Sequence, residues 1–329
     1  MPYSALYDLH TAIIPRPDPA SAPGRVTGIG IPWTMPDRAS NFPVAPLTAR
    51  KTWRSVEPLH GMIYFAHEAS QSYVDLGIKP EAGYFASRAA AMGAVSAATV
   101  IATFYNFSPR LVRSVIPDVW DTASPATVLE ARLDSADRAL RRMLGDGVDS
   151  PELSRAAGLA RTAAERSALR PEGRPLSAAH ADLPWPDAPH LVLWHAQTVL
   201  REFRGDGHLT VLVGHDLDPV EALVLHVATG ELPVTFLKDT RGWSDAEWEA
   251  GTERLSARGL VEALADPDPG KAPLALTPEG VALRQEIEDV TDRLAVFPYE
   301  ALGEGDCAEL RSLARPFSRA VVAAAGLGF

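Results

Sequence analysis

Ser108-Pro109, Ser124-Pro125, Ser150-Pro151, Asp218-Pro219 and Thr277-Pro278 each set a capping side chain directly before a proline. Such a side chain accepts hydrogen bonds from the N–H groups that a helix's first turn leaves unpaired. Proline suits the first helical position, where its missing N–H costs nothing, and breaks helix interiors. These pairs therefore predict a succession of helices, each with a fixed start. After Thr277-Pro278, the residues Val281, Leu283, Ile287, Val290 and Leu294 recur at helical spacing, as a core-facing stripe requires. The fold class read from this pattern is mainly α.

Proline clusters divide the chain. Residues 1–45 hold Pro15, Pro17, Pro19, Pro23, Pro32, Pro36 and Pro43 and read as a surface-wrapping extension. Gly28-Ile29-Gly30 there lacks the third glycine and the helix of a dinucleotide loop. Residues 46–168 read as a first helical domain, 169–189 as a proline-rich connector and 190–329 as a second domain. In the first, one helical segment is expected from Leu47 to Gly77 and another over Ala89–Phe107. The second half echoes the first. Leu59-His60 followed by Tyr64-Phe65-Ala66 parallels Pro189-His190 followed by Trp194-His195-Ala196, and Ser124–Leu144 parallels Ser244–Leu264. The period is far too long for a solenoid and reads as a duplicated domain.

The second half has a definite order. Helices at about 190–203, 206–214, 218–229 and 244–258 lead into Arg258-Gly259-Leu260-Val261, a turn over Ala265–Pro273, a strand at Leu274-Ala275-Leu276, then Thr277-Pro278-Glu279-Gly280 and a long helix. A last helix is expected near Asp306–Ala324. This order resembles the winged helix of MarR-type regulators. Residues from about 50 to 325 also resemble a family of actinobacterial helix-turn-helix proteins. That likeness rests on Tyr84-Phe85-Ala86-Ser87-Arg88, Ala102-Thr103-Phe104-Tyr105-Asn106-Phe107, Leu193-Trp194-His195-Ala196, Leu200–His208 and Arg241-Gly242-Trp243-Ser244. Together the resemblances imply tandem winged-helix-like domains with small β wings about a pseudo-twofold axis. They leave the chemistry open.

Charge and composition narrow the classes. The formal charge is −11, from 31 basic and 42 acidic residues, and a sequence-independent grip on nucleic acid needs the reverse balance. Only Lys51, Lys79, Lys238 and Lys271 are lysines, so the arginine richness reflects coding bias more than function. The positional equivalent of a recognition helix, Ser244–Arg258, carries Asp245, Glu247, Glu249 and Glu253 against Arg254 and Arg258, and the wing sets Asp266 and Asp268 against Lys271. DNA is thus a possible partner that the charges disfavour. No apolar run reaches the roughly 20 residues of a membrane helix, and Met1–Pro15 lacks the pattern of a secretory signal. The expectation is a cytoplasmic protein with a small-molecule partner. One cysteine, Cys307, excludes an internal disulfide.

The densest chemistry lies on the paired helices. His60, Tyr64, His67 and Glu68 fall at i, i+4, i+7 and i+8, and His190, Trp194, Gln197 and Arg201 repeat the face. If the copies meet, these faces line one cavity, with Arg88, Tyr105 and Asn106 adding polar groups. Arg201 and Arg204 suit a carboxylate or phosphate, because guanidinium presents a fork of donors. His208, beside Asp206 and after Gly207, is a candidate general acid or base. His60 and His190 are candidates for the opposite proton transfer. Bland readings stand beside these: an Arg204–Asp206 ion pair capping a glycine turn, His60 and His190 bonded to backbone carbonyls, and Tyr105 in the core. No cofactor is clearly encoded. His67-Glu68 are adjacent and His190 and His195 are five apart, which misses zinc spacing. A metal or haem site drawn from His60, His67, His190 and His208 is the arrangement left open. Neither a G-x-S-x-G elbow nor a Walker loop occurs. The first reading is an enzyme of specialised metabolism doing acid–base chemistry on a polar or anionic metabolite. The alternative is a MarR-like, ligand-responsive regulator.

Overall fold

The proline-marked helix starts are realised. The computed structural model describes residues 42–230, 234–265 and 273–325. In it the hydroxyls of Ser108, Ser124, Ser150 and Thr277 accept from the backbone N–H groups of Leu111, Thr127, Leu153 and Gly280. Asp218 and Glu221 cap one another's backbone reciprocally. The expectations placed on residues 1–41 and on Asp266, Asp268 and Lys271 lie outside the described residues.

The helices are α1 (Pro46–Gly61), α2 (His67–Asp75), α3 (Pro80–Ala89), α4 (Ala97–Phe104), α5 (Pro109–Arg113), α6 (Val119–Thr122), α7 (Pro125–Leu144), α8 (Pro151–Ser167), α9 (Pro175–Ala181), α10 (Pro189–Gly214), α11 (Pro219–Val227), α12 (Val234–Arg241), α13 (Asp245–Ala257), α14 (Pro278–Leu294) and α15 (Gly303–Ala324). Strands β1 (Val261–Ala263) and β2 (Leu274–Leu276) pair antiparallel, with Glu262 opposite Ala275. The first turn of α14 lies directly on the end of this ribbon. A Cβ at Gly280 would come within 2.0 Å of the Leu260 carbonyl oxygen, so only glycine allows the approach.

Two apolar cores form. The first gathers side chains from Val44 to Leu200 and closes with Val296–Val321. The second runs from Val211 to Ile287 and is the interior of the unit formed by α11 to α14 and the two-stranded ribbon. Helix α10 threads both. It packs on α1, α8 and α9 along its length and on α14.

Four expectations are corrected here. First, α10 does not break between 203 and 206 but continues through Gly205 and Gly207. Gly207 serves close packing instead of flexibility, since a Cβ there would lie 2.8 Å from Arg174 Nη1. Second, the 169–189 stretch is no open connector. It carries α9, whose Leu176 and His180 are buried against α10. Third, α5, α6 and α7 follow one another as α11, α12 and α13 do, but the segment after α7 is a 3-10 turn over 145–149 and then α8. Both described strands belong to the second half, so the wing expected in the first half is missing among the described residues. Fourth, α15 packs on α1 and α8 in the first core, so residues 190–329 do not close as one body.

Candidate ligand-binding cleft

Helix α10 organises the polar interior because its ionisable residues fall at four-residue spacing on different faces. Gln197 and Arg201 face α1: Arg201 Nε donates to Glu57 Oε1 at 2.9 Å and Gln197 Nε2 donates to Glu57 Oε2 at 2.7 Å. Glu202 and Asp206 face α3 and α9. Arg88 grips Glu202 through Nε and Nη2, at 3.1 and 2.8 Å, and the backbone N–H of Ser177 donates to Asp206 at 2.9 Å. Arg204 and His208 face α14. Arg204 donates to Asp292 at 2.8 Å and Glu288 at 3.1 Å, and His208 Nδ1 lies 3.0 Å from the Thr291 hydroxyl.

A cleft opens where α3, α4, α9, α10 and α12 converge. Its floor is Glu202, Gly205 and Asp206 of α10, its aromatic walls are Tyr84, Phe104 and Phe107, and Arg88, Arg201 and Arg241 reach into it. It encloses about 420 Å³ of space between atoms, the open mouth included. As the side chains stand, that leaves room for about a water or two, so a larger occupant must move some of them. The guanidinium of Arg88 lies 4.4 Å from the centre of the Phe104 ring, and that of Arg241 lies 4.6 Å from that of Phe107. Arg241 is 2% exposed. It donates to the Thr240 hydroxyl, while its Nε has no partner.

The charges in the cleft do not balance. Burial opposes ionisation of Glu202, yet Arg88 and Arg201 hold its carboxyl well below the usual range. Burial pushes Asp206 up to about 7, with the Ser177 N–H opposing and Glu202 adding to the rise. Behind Arg201, burial pushes Glu57 up to about 7 despite the arginine. Burial and the neighbouring arginines lower Arg241 to about 10, so it stays cationic at neutral pH. Three guanidinium groups thus share one firmly ionised carboxylate, Glu202, and two that titrate near neutrality, Asp206 in the cleft and Glu57 behind Arg201.

The structure brings together some of the residues singled out from sequence and separates others. Arg88, Arg201, Asp206 and Asn106 line the cleft. Arg204 does not; it pairs with α14, and the expected Arg204–Asp206 ion pair is absent because the two point to different helices. His60 is fully buried behind the cleft, 2.8 Å from the Thr198 hydroxyl and 3.1 Å from that of Tyr64, and it stacks on Trp194. Tyr64 lies beneath Arg201 and beside Tyr84. The common face expected for His60, Tyr64, His67 and Glu68 does not exist, because α1 ends at Gly61 and α2 restarts at His67. His67 is exposed, and Glu68 pairs with Arg142. His190, 2.6 Å from Asp137, sits at the opposite end of α10. His208 is buried beside α14, and burial with the nearby arginines lowers it to about 3. The four histidines considered for a metal or haem therefore occupy separate places. The described residues contain no group of three or more side chains able to hold a metal ion. Tyr105 adopts φ +56° and donates its hydroxyl to the Leu217 carbonyl, so it ties the first half to the second core.

Sequence reasoning missed Glu57, Glu202 and Arg241 as cleft-forming residues. Arg241 stood inside a motif used for recognition, but nothing local marks it as buried.

Helices α12 and α13 are joined by a short turn at 242–244. This turn is docked on the first half: Ser108 N–H donates to the Arg241 carbonyl at 2.8 Å, Arg110 to that of Gly242 at 2.8 Å, and Trp243 Nε1 to that of Asn106 at 2.9 Å. The basic side chains on α13 and at its end are exposed but engaged by the chain's own acceptors. Arg254 reaches Asp218 and Glu221, and Arg258 reaches Glu221 and the carbonyls of His215 and Asp216. Asp245, Glu249 and Glu253 remain exposed.

Residues 49–328 match the model of a helix-turn-helix family. No curated protein and no solved structure matches the chain. No single described helix is long and apolar enough to cross a membrane.

Proposed function

Starting from the premise that this chain belongs to the helix-turn-helix family, we propose that it binds a small anionic organic molecule in the arginine-lined cleft and exchanges a proton with it through Asp206. The observation that carries this reading is the charge imbalance: Arg88, Arg201 and Arg241 converge on one space, and Arg241 is buried with an unused donor. A buried charge is costly unless paired, and guanidinium pairs best with a carboxylate or phosphate. The aromatic walls suit an organic anion better than a bare one. Asp206 supplies the proton-transfer group, since a carboxyl titrating near neutrality in a cleft is suited to general acid–base work. It replaces His60, His190 and His208 in that role. The order α5–α6–α7, parallel to α11–α12–α13, supports a duplicated origin for the two halves.

Calorimetric titration with butyrate, benzoate and inorganic phosphate tests this. Saturable binding of a carboxylate is expected, lost in Arg241→Met. An anion beside Asp206 raises its proton affinity, so binding near pH 7 takes up a proton, seen as a dependence of the heat on buffer ionisation. Asp206→Asn removes that uptake. Absence of binding by all three probes overturns the reading.

A second reading, a MarR-like regulator that uses the cleft as its sensor, draws support from the family and from the α11-to-α14 order. The acidic exposed face of α13 and its docked turn weigh against it, because a recognition helix presents basic or amide side chains to DNA.

A further inference from the structure

A second, more enclosed cavity adjoins the first. It lies between α10, α11 and α14 and spans about 350 Å³ of space between atoms, the open mouth included. As the side chains stand, that leaves room for about one water, so a larger occupant must move some of them. Leu212, Ala222, Leu225 and Ile287 form most of its wall, with His208 and Arg284 at the polar side. The partition between the two cavities is Asn106 and Leu209, which line both. Leu209 is half-buried and unbranched at Cβ, a side chain with more than one staggered rotamer. Asn106 follows Tyr105 and its left-handed backbone. The polar cavity and the apolar one thus share a wall made of two side chains.

We infer that the ligand is an amphipathic organic acid, its carboxylate held by Arg88, Arg201 and Arg241 and its apolar arm passing Leu209 into the chamber of Leu212, Ala222, Leu225 and Ile287. This rests on the anion-binding reading above and names the class of molecule that reading leaves open. An acid without an arm does not reach the second cavity. An arm that displaces Leu209 gains the burial of each methylene, worth about 0.8 kcal/mol or roughly a fourfold gain in affinity. The polar groups of the second chamber do not create a rival anion site of equal strength. Arg284 there lies within the field of Glu288, and His208 stays uncharged through burial.

The test is a titration of the full chain with the straight-chain acids from acetate to decanoate. Affinity is expected to climb about fourfold per methylene over the middle of the series and then level off once the chamber is full. Ala222→Leu narrows the chamber from α11 and is expected to weaken octanoate at least tenfold while butyrate stays within twofold. Leu225→Ala enlarges it and moves the optimum to a longer acid. Butyrate binding doubles as the check that each variant is folded. A flat series in the wild type, or an octanoate affinity untouched by Ala222→Leu, overturns the inference while the anion site stands. Should no acid of any length bind, the anion-binding reading falls and this inference with it.

Discussion

Arg201 and Arg204 are three residues apart on one helix, buried alike, and serve different ends. Arg204 and Arg50 each pair with both Glu288 and Asp292 in a closed seam between α1, α10 and α14, with Arg284 also in the field of Glu288. Arg201, with Arg88 and Arg241, faces an open cleft in which only Glu202 is firmly ionised. The difference teaches how to separate scaffold from site when both are made of the same side chains. A balanced seam is complete and has no use for a ligand. An unbalanced one keeps a charge that only an incoming anion completes. Burial alone does not make the distinction, since Arg204 and Arg241 are equally hidden at 2% exposure.

The largest expected effect breaks the balanced seam. Arg204→Met leaves Glu288 and Asp292 with too little positive charge in the interior, and removal of one member of a buried pair costs about 3–5 kcal/mol. Denaturant unfolding measures it; a loss under 1 kcal/mol would erase the contrast between the two clusters.

Acid comes next. His60, His180, His195, His208 and His226 are held below their ordinary value, in each case first by burial, with His195 at about 4 and His208 at about 3. A histidine with a lowered folded value takes up its proton more readily when unfolded. Its contribution to stability is therefore complete above the unfolded value of about 6.5 and is lost as pH falls toward the folded value, at up to about 1.4 kcal/mol per pH unit. Glu57 and Asp206 act oppositely. Their raised folded values make the folded chain bind protons more tightly, so they lose stability as pH rises from about 4 to 7. With five groups against two, the melting temperature is expected to drop from pH 7 to pH 5. A rise over that range would show that the histidines are charged in the fold.

Arg241→Met sharpens the comparison by separating stability from binding. Unfolding free energy is expected to change by less than about 1 kcal/mol or to increase, because the variant removes a charge from the interior. Carboxylate affinity is expected to fall tenfold or more, about 1.4 kcal/mol. A large stability loss with unchanged binding would place Arg241 in the scaffold alongside Arg204.

The smallest effect concerns the surface of α13. Glu249→Lys with Glu253→Lys is expected to alter stability within about 0.5 kcal/mol and to create weak duplex binding in 50 mM salt that fades steeply with added salt. Tight wild-type binding to duplex DNA at physiological salt would favour the regulator over the catalyst.

Local chemistry made part of the fold legible. Ser108, Ser124, Ser150, Asp218 and Thr277 cap helices through atoms at most three residues away. The wing after Leu260 was legible because a short apolar strand and a Thr-Pro helix start stand side by side. The continuity of α10 was not. Glycines at 205 and 207 look like a turn until Arg174, brought in from the preceding segment, is found against Gly207. Among the site residues, Arg88 and Arg201, read as anion-binding groups, and Asp206, read as the neighbour of His208, line the cleft. The face drawn through His60 and His67 failed because Gly61 ends α1 and the chain bends before α2.

The sequence by itself determined where the helices begin, that a short strand precedes α14, and that α10 carries ionisable groups on several faces. Those properties depend on neighbours within about one or two helical turns. Only the tertiary structure decided which of those groups neutralise each other. Glu57 is 144 residues from Arg201, and Glu202 is 114 from Arg88. Arg241 arrives on α12, and among the described residues no carboxylate pairs with it. Charge balance in a buried space is a sum over elements distant in the chain, and periodicity along any one of them carries no record of that sum.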